Sequence, residues 1–181
     1  MHKKPPITFE NISADLLEKW QGIADLLASI ISVPAALIVK TEDDYMEVLV
    51  SSKTGNNPYH KGDKEKRHGL YCETVIKTQQ ELLIPDATTD AHWCKNPDIE
   101  LGMIAHLGYP INFPDNRPFG TLCVLDKKAN SFSPSHRQLL RQFRDTIERD
   151  IALLQEHAAL VSAVDEQQKA ESMHRKMLSN I

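Results

Sequence analysis

The apolar positions of this chain change period several times, and each change marks an element. Leu16, Leu17, Trp20, Ile23, Leu27 and Ile31 recur every three to four residues, which predicts an amphipathic helix, with Asn11 or Ser13 able to cap its start. Pro34 interrupts that pattern. "AALIVK" (35–40) and "YMEVLVS" (45–51) then read as two strands joined by an acidic turn. Residues 53–68 carry Gly55, Asn56, Asn57, Pro58 and Gly62 with little apolar content, so a long loop is expected. "GLYCETVIKTQQ" has Leu70, Val75 and Ile76 on one side of a short helix, and "ELLIPDA" is a brief strand closed by Pro85 and Asp86. Residues 86–97, with Trp93 among them, show no regular period.

The longest signal follows. Residues 103–111 and 119–125 read as two strands joined by "FPDNRP", whose proline and Asp-Asn suit a reversal. On the second strand Thr121, Cys123 and Leu125 alternate with Leu122 and Val124. Both faces are largely apolar, so both must be covered. Ser133 and Pro134 form a helix-start signature, and no glycine or proline interrupts the sequence from there to its end. A helix of about forty-five residues, near 65 Å, fits that length. Along it Leu140, Phe143, Ile147, Ile151, Leu154, Ala158 and Val161 step by threes and fours, close to a heptad seam, and after Val164 the seam weakens. The expected order is a tail over 1–10, a domain over 11–154, and a helix or linker over 155–181 leading toward a further domain.

Composition narrows the classes. A chain of 181 residues can bury a core without covalent staples. Cys72, Cys94 and Cys123 are odd in number, form no C-x-x-C pair and follow no secretory signal, which points to a reducing, cytoplasmic setting. No apolar run has the length of a membrane span, so membrane insertion is not expected. A net charge of -4 argues against a general nucleic-acid binder, and the basic "KGDKEKR" (61–67) reads as a solvated loop.

Three segments, "LLIPDATTD" (82–90), "NPDIELGMIAHLGYPI" (96–111) and "FGTLCVLD" (119–126), resemble in order and spacing the later half of GAF domains, sensor modules of bacterial signalling proteins. The resemblance spans 16–154. It implies an α+β, PAS-related fold: a central antiparallel sheet of five or six strands, the N- and C-terminal helices on one face, loops and short helices on the other. It also implies a ligand held between the sheet and the middle connections, with Cys72, Asp86, His92, Trp93, Ile104, His106 and Thr121 as wall candidates. Each has a plainer reading. Trp93 serves equally as a plug, Cys72 and Cys123 as small core fillers, His106 as a hydrogen-bonded structural histidine, and Asp86 as a turn cap.

The function implied is regulatory and non-catalytic: an unidentified small molecule, with no cofactor specified, acts through a homodimer whose seam runs along Leu140, Phe143, Ile147, Ile151, Leu154, Ala158 and Val161. The closing "HRKMLSNI" (174–181) resembles the approach to the phosphoacceptor helix of sensor histidine kinases and, less closely, of nucleotide cyclases. The alternatives are a ligand-free dimerisation module and an enzyme. Free methionine-R-sulfoxide reductases, another GAF-like group, use cysteines near the pocket, and Cys72 and Cys94 fall in comparable regions, but "LYCET" lacks the glycine-flanked first cysteine and "HWCKN" has no aspartate after its cysteine. Zinc-capable side chains occur at His68, Cys72, Asp90, His92 and Cys94, yet match no finger spacing, so no metal is assigned. The Asn-Lys-x-Phe-Asp-type signature of cyclic-nucleotide binders is absent, and no cysteine neighbours a histidine as a phytochrome bilin attachment would.

Overall fold

The computed structural model describes residues 9–181, so most of the expected tail lies outside it. Phe9–Asn11 form a single 3-10 turn, and the Phe9 ring meets Phe119 edge-on at 5.1 Å. Helix α1 (Ala14–Ile31) starts at Ser13, whose hydroxyl accepts from the Leu16 N–H at 3.2 Å. It ends where Ser32 turns left-handed (φ 58°) and donates its N–H back to the last turn. The strands are β1 (Ala35–Thr41), β2 (Tyr45–Ser51), β3 (Lys64–Lys66), β4 (Leu82–Ile84), β5 (Ala105–Asn112) and β6 (Pro118–Asp126). They form one antiparallel sheet in the order β3-β2-β1-β6-β5-β4. Helix α2 (Tyr71–Thr78) precedes β4, and α3 (Pro134–Ser179) closes the chain.

The sheet has six strands because β3 arises inside the stretch expected to be loop. Its Lys-Glu-Lys side chains are all exposed, so no apolar alternation announces it, and it pairs with Tyr45–Glu47 at the sheet edge. Charge at an edge suits a strand with one unpaired side. The β5–β6 hairpin turns through Asn116 at φ 66°, and Phe113 N–H donates to Arg117 O at 2.9 Å across its mouth.

Each face of the sheet is covered, as its alternation requires. Helices α1 and α3 cover one face, where Trp20, Leu27, Ile38, Leu107, Ile111, Phe119, Leu122, Leu140, Ile147 and Ile151 bury a continuous core. The Trp20 indole donates to Asp150 Oδ2 at 3.0 Å, tying the two helices together. Helix α2 and the connections around it cover the other face, packing Tyr71, Ile76, Trp93 and Met103 on Leu37, Val39, Ile84, Cys123 and Leu125 of the sheet. A bulge between Ile38 and Val39 in the β1–β2 register lets Met46 and Val48 join this second cluster while Val50 joins the first.

Helix α3 runs 46 residues from Ser133, whose hydroxyl accepts from His136 N–H at 3.1 Å. Leu140, Ile147 and Ile151 are buried in the chain's own core, with Phe143 and Leu154 packed against it. Those five positions of the expected seam are thus occupied within the domain, whereas Ala158 is half-buried and Val161 exposed. Among the described residues no helix is long and apolar enough to cross a membrane.

Candidate functional site

A cavity of about 480 Å³ opens between the sheet, the first turn of α2 and two connections. Its floor is alternate side chains of four strands: Leu37 and Val39, Met46 and Val48, His106, and Cys123 and Leu125. Tyr71 and Cys72 come from α2, and Pro58, Tyr59, Pro97 and Asp98 from the connections. Apolar walls with a few fixed polar groups are what small-molecule sites share.

The connections are held by side-chain clamps. Asn57 donates to Ser51 Oγ and Ser52 O, both at 2.8 Å, and accepts from Tyr59 N–H at 3.0 Å, which fixes Tyr59 at the rim. Buried Asn96 donates to Gly69 O at 2.8 Å and accepts from Asp98 N–H at 2.8 Å, joining the start of α2 to the second connection. Gly69 has φ 84°, which suits glycine, and its N–H donates to Glu73 Oε2 at 3.0 Å. The Tyr59 hydroxyl then donates to Asp98 Oδ1 at 2.7 Å and closes one side of the cavity. Burial lifts the Asp98 carboxyl to about 6, opposed by the Tyr59 hydrogen bond and reinforced by charge on Cys72. Burial likewise raises the Tyr59 and Tyr71 phenols.

At the floor three elements converge. The sulfurs of Cys72 on α2 and Cys123 on β6 and a ring nitrogen of His106 on β5 all lie within 4.8 Å of one another. Thr121 donates its hydroxyl to Cys72 Sγ at 3.2 Å. Hydrogen bonding between the two sulfurs lowers the Cys72 thiol and raises the Cys123 thiol; burial opposes the first shift and adds to the second, and His106 and Thr121 assist the first. His106 is fully buried, and neither ring nitrogen has a hydrogen-bond partner. Its ring lies 4.8 Å from the Tyr71 ring, which lies 5.2 Å from Trp93.

The sequence matches the GAF domain family over residues 13–152. The chain belongs to the GAF domain family. Solved structures agree on the fold. The GAF domain of an Acinetobacter phosphoenolpyruvate-protein phosphotransferase superposes with a TM-score of 0.63 at 17% identity, covering 84% of this chain and 89% of that one. The phycocyanobilin-bound GAF domain of a cyanobacterial phytochrome gives 0.65 at 16%, covering 78% and 87%. A type II free methionine-R-sulfoxide reductase from Thermoplasma acidophilum gives 0.58 at 11%, covering 78% and 93%. At these identities the likeness is one of fold. A search of curated proteins finds no significant match.

Of the wall candidates named from sequence, Cys72 and His106 line the cavity of this GAF domain. Thr121 stands behind Cys72. Trp93 packs beneath Tyr71 in the second core. Asp86 accepts from the Thr88 N–H and hydroxyl as the cap of the 3-10 turn Ala87–Thr89. His92 is exposed against the edge of Trp93, and Ile104 is bound through its backbone to Ala87 and Asp126. These last four are not among the cavity-lining residues.

The zinc-capable loop residues do not converge. His68 is exposed beside Glu73, and Cys94 is exposed with its thiol 3.6 Å from Ala91 O, so Cys72 faces Cys123 instead. Tyr59, Tyr71, Asp98 and Cys123 were not among the wall candidates. For Cys123 and Tyr71 a signal existed: one alternates on the same strand face as Thr121, the other precedes Cys72.

Proposed function

We propose that this GAF domain is a non-catalytic sensor of a small organic molecule, acting through a homodimer of α3 on an output domain that follows it, a histidine kinase. The observation that carries the reading is the cavity set on one face of a sheet whose other face is the seat of α3. The β5–β6 hairpin belongs to both. His106 and Cys123 look into the cavity, while Leu107, Tyr109, Leu122 and Val124 pack toward the helices.

Polar contacts join that hairpin to α3. Arg144 donates to Pro110 O at 3.2 Å, Glu148 accepts from Asn112 N–H at 2.9 Å, and Glu81 takes hydrogen bonds from both Tyr109 and Arg137. A ligand favouring one hairpin position therefore favours one placement of α3, provided it binds the two states unequally. Past the domain, α3 exposes Leu153, Leu160, Val161 and Val164, a stripe at near-heptad spacing that suits a second copy of the helix.

Native mass spectrometry of the purified chain, followed by denaturation and identification of released small molecules, tests the reading. A bound molecule lost in Val48→Trp, which fills the cavity, is expected. A chain that carries nothing and whose Trp93 emission responds to no metabolite in a broad panel overturns it.

A further inference from the structure

We infer that Cys72, His106 and Cys123 form a three-ligand site for a zinc-like divalent cation, with its fourth coordination position open to the cavity. The inference goes beyond the sensing of an organic molecule and stands apart from it. Two sulfurs and one imidazole nitrogen within 4.8 Å of one another approach the ligand spacing of a tetrahedral ion. With metal–sulfur bonds of about 2.3 Å and metal–nitrogen bonds of about 2.0–2.1 Å, ligand atoms stand about 3.5–3.8 Å apart. Two thiolates and an imidazole select a soft or borderline ion over magnesium or calcium.

Second observations point the same way. His106 is fully buried with both nitrogens unpartnered, a costly arrangement that a metal bond at one nitrogen relieves. The imidazole lies directly over Gly108: a Cβ there would stand 2.6 Å from Cε1 and 3.0 Å from Nε2 of the ring. The missing side chain is therefore what lets the ring lie where it does. The Thr121 hydroxyl, 3.2 Å from Cys72 Sγ, orients that sulfur as an outer partner. All three ligands line the cavity, so an ion held by them faces open space on its fourth side, where Asp98 or an incoming molecule supplies the last donor. Three protein ligands plus an exchangeable position is the arrangement of reactive rather than purely structural zinc sites.

Cobalt(II) titration of the reduced, metal-free 181-residue chain tests this. One equivalent should produce thiolate-to-cobalt charge-transfer absorption with the intense visible bands of four-coordinate cobalt, and zinc should abolish both. Cys72→Ser and Cys123→Ser should each lose most of the charge-transfer intensity, Thr121→Val should weaken binding by about 10–100-fold, and Cys94→Ser should leave the titration unchanged. Far-UV circular dichroism and a thiol count confirm that each variant is folded and reduced. If the wild-type chain, with its three thiols free, gives no charge-transfer band, the site does not exist; this holds even where a serine variant fails to fold. A band that survives in both Cys72→Ser and Cys123→Ser, or disappears in Cys94→Ser, also overturns it. So does a Cys72–Cys123 disulfide that persists in reductant. A chain that carries an organic molecule yet ignores cobalt refutes the metal site and leaves the sensor reading intact.

Discussion

The Tyr59 hydroxyl reaches across 39 residues of sequence to donate a 2.7 Å hydrogen bond to Asp98 Oδ1, joining the two connections that wall the cavity. Burial raises the Asp98 carboxyl from 3.8 to about 6, so between those values the folded state holds a proton that the unfolded chain releases. Folded stability from this group is complete below about pH 4 and is lost as pH rises through 6, a change of at most about 3 kcal/mol. The groups acting on Asp98 are Tyr59, Cys72, His106 and Glu65. Asp98→Asn keeps an acceptor for Tyr59 but cannot ionise. Urea unfolding of the reduced, metal-free chain from pH 4.5 to 7.5 should show wild type losing stability relative to Asp98→Asn as pH rises; parallel curves would refute the assignment.

Two glycines on the central hairpin are predicted to differ in kind. A Cβ at Gly120 would sit 1.9 Å from the Val39 carbonyl oxygen, so alanine there must push β1 and β6 apart. A Cβ at Gly108 meets the end of the His106 side chain instead. Gly108→Ala should cost about 1–3 kcal/mol and Gly120→Ala more than that, to the point of poor folding. Thermal unfolding ranks them, and Gly108→Ala should also weaken cobalt binding by displacing the imidazole.

Asp150 is expected to be the main polar tie between α1 and α3. It accepts from the fully buried Trp20 indole at 3.0 Å and from Lys19 at 2.7 Å. Asp150→Ala strands the indole N–H and should destabilise the domain by about 1–3 kcal/mol. Lys19→Ala, which removes a half-exposed partner, should cost under about 1 kcal/mol. Chemical denaturation of both variants separates the two contributions.

The elements were legible in this sequence wherever side-chain period and caps agreed. Ser13 and Ser133 start their helices as hydroxyl caps should, and the alternation of Thr121 to Leu125 correctly demanded cover on both faces. Strand β3 was not legible, because three exposed charged residues carry no apolar signal. The floor of the cavity was half legible. Cys72 and His106 stood out as chemical side chains on apolar elements, but their meeting with Cys123 is a product of strand order and the placement of α2, which local spacing does not encode. Asp86 and His92 were wall candidates through the resemblance to GAF domains and not through spacing; Asp86 takes the plainer role of turn cap, and His92 stands exposed.

Helix α3 sharpens that point, because threes-and-fours spacing serves an internal core and a partner helix equally well. Leu140, Ile147 and Ile151 are buried against the sheet and α1, so Ile147→Ala should lower folding stability by about 2–5 kcal/mol through the cavity it leaves. Leu160 and Val164 are 66% and 52% exposed, and replacing both with glutamate removes nothing from that core. The double variant should therefore keep the unfolding midpoint of the domain yet sediment as a monomer at concentrations where wild type is dimeric. Ile147→Ala should show the reverse, with a lowered midpoint and, while folded, an unchanged oligomeric state. Wild type that stays monomeric at high concentration would remove the dimer from the proposed output path, leaving α3 to act within a single chain.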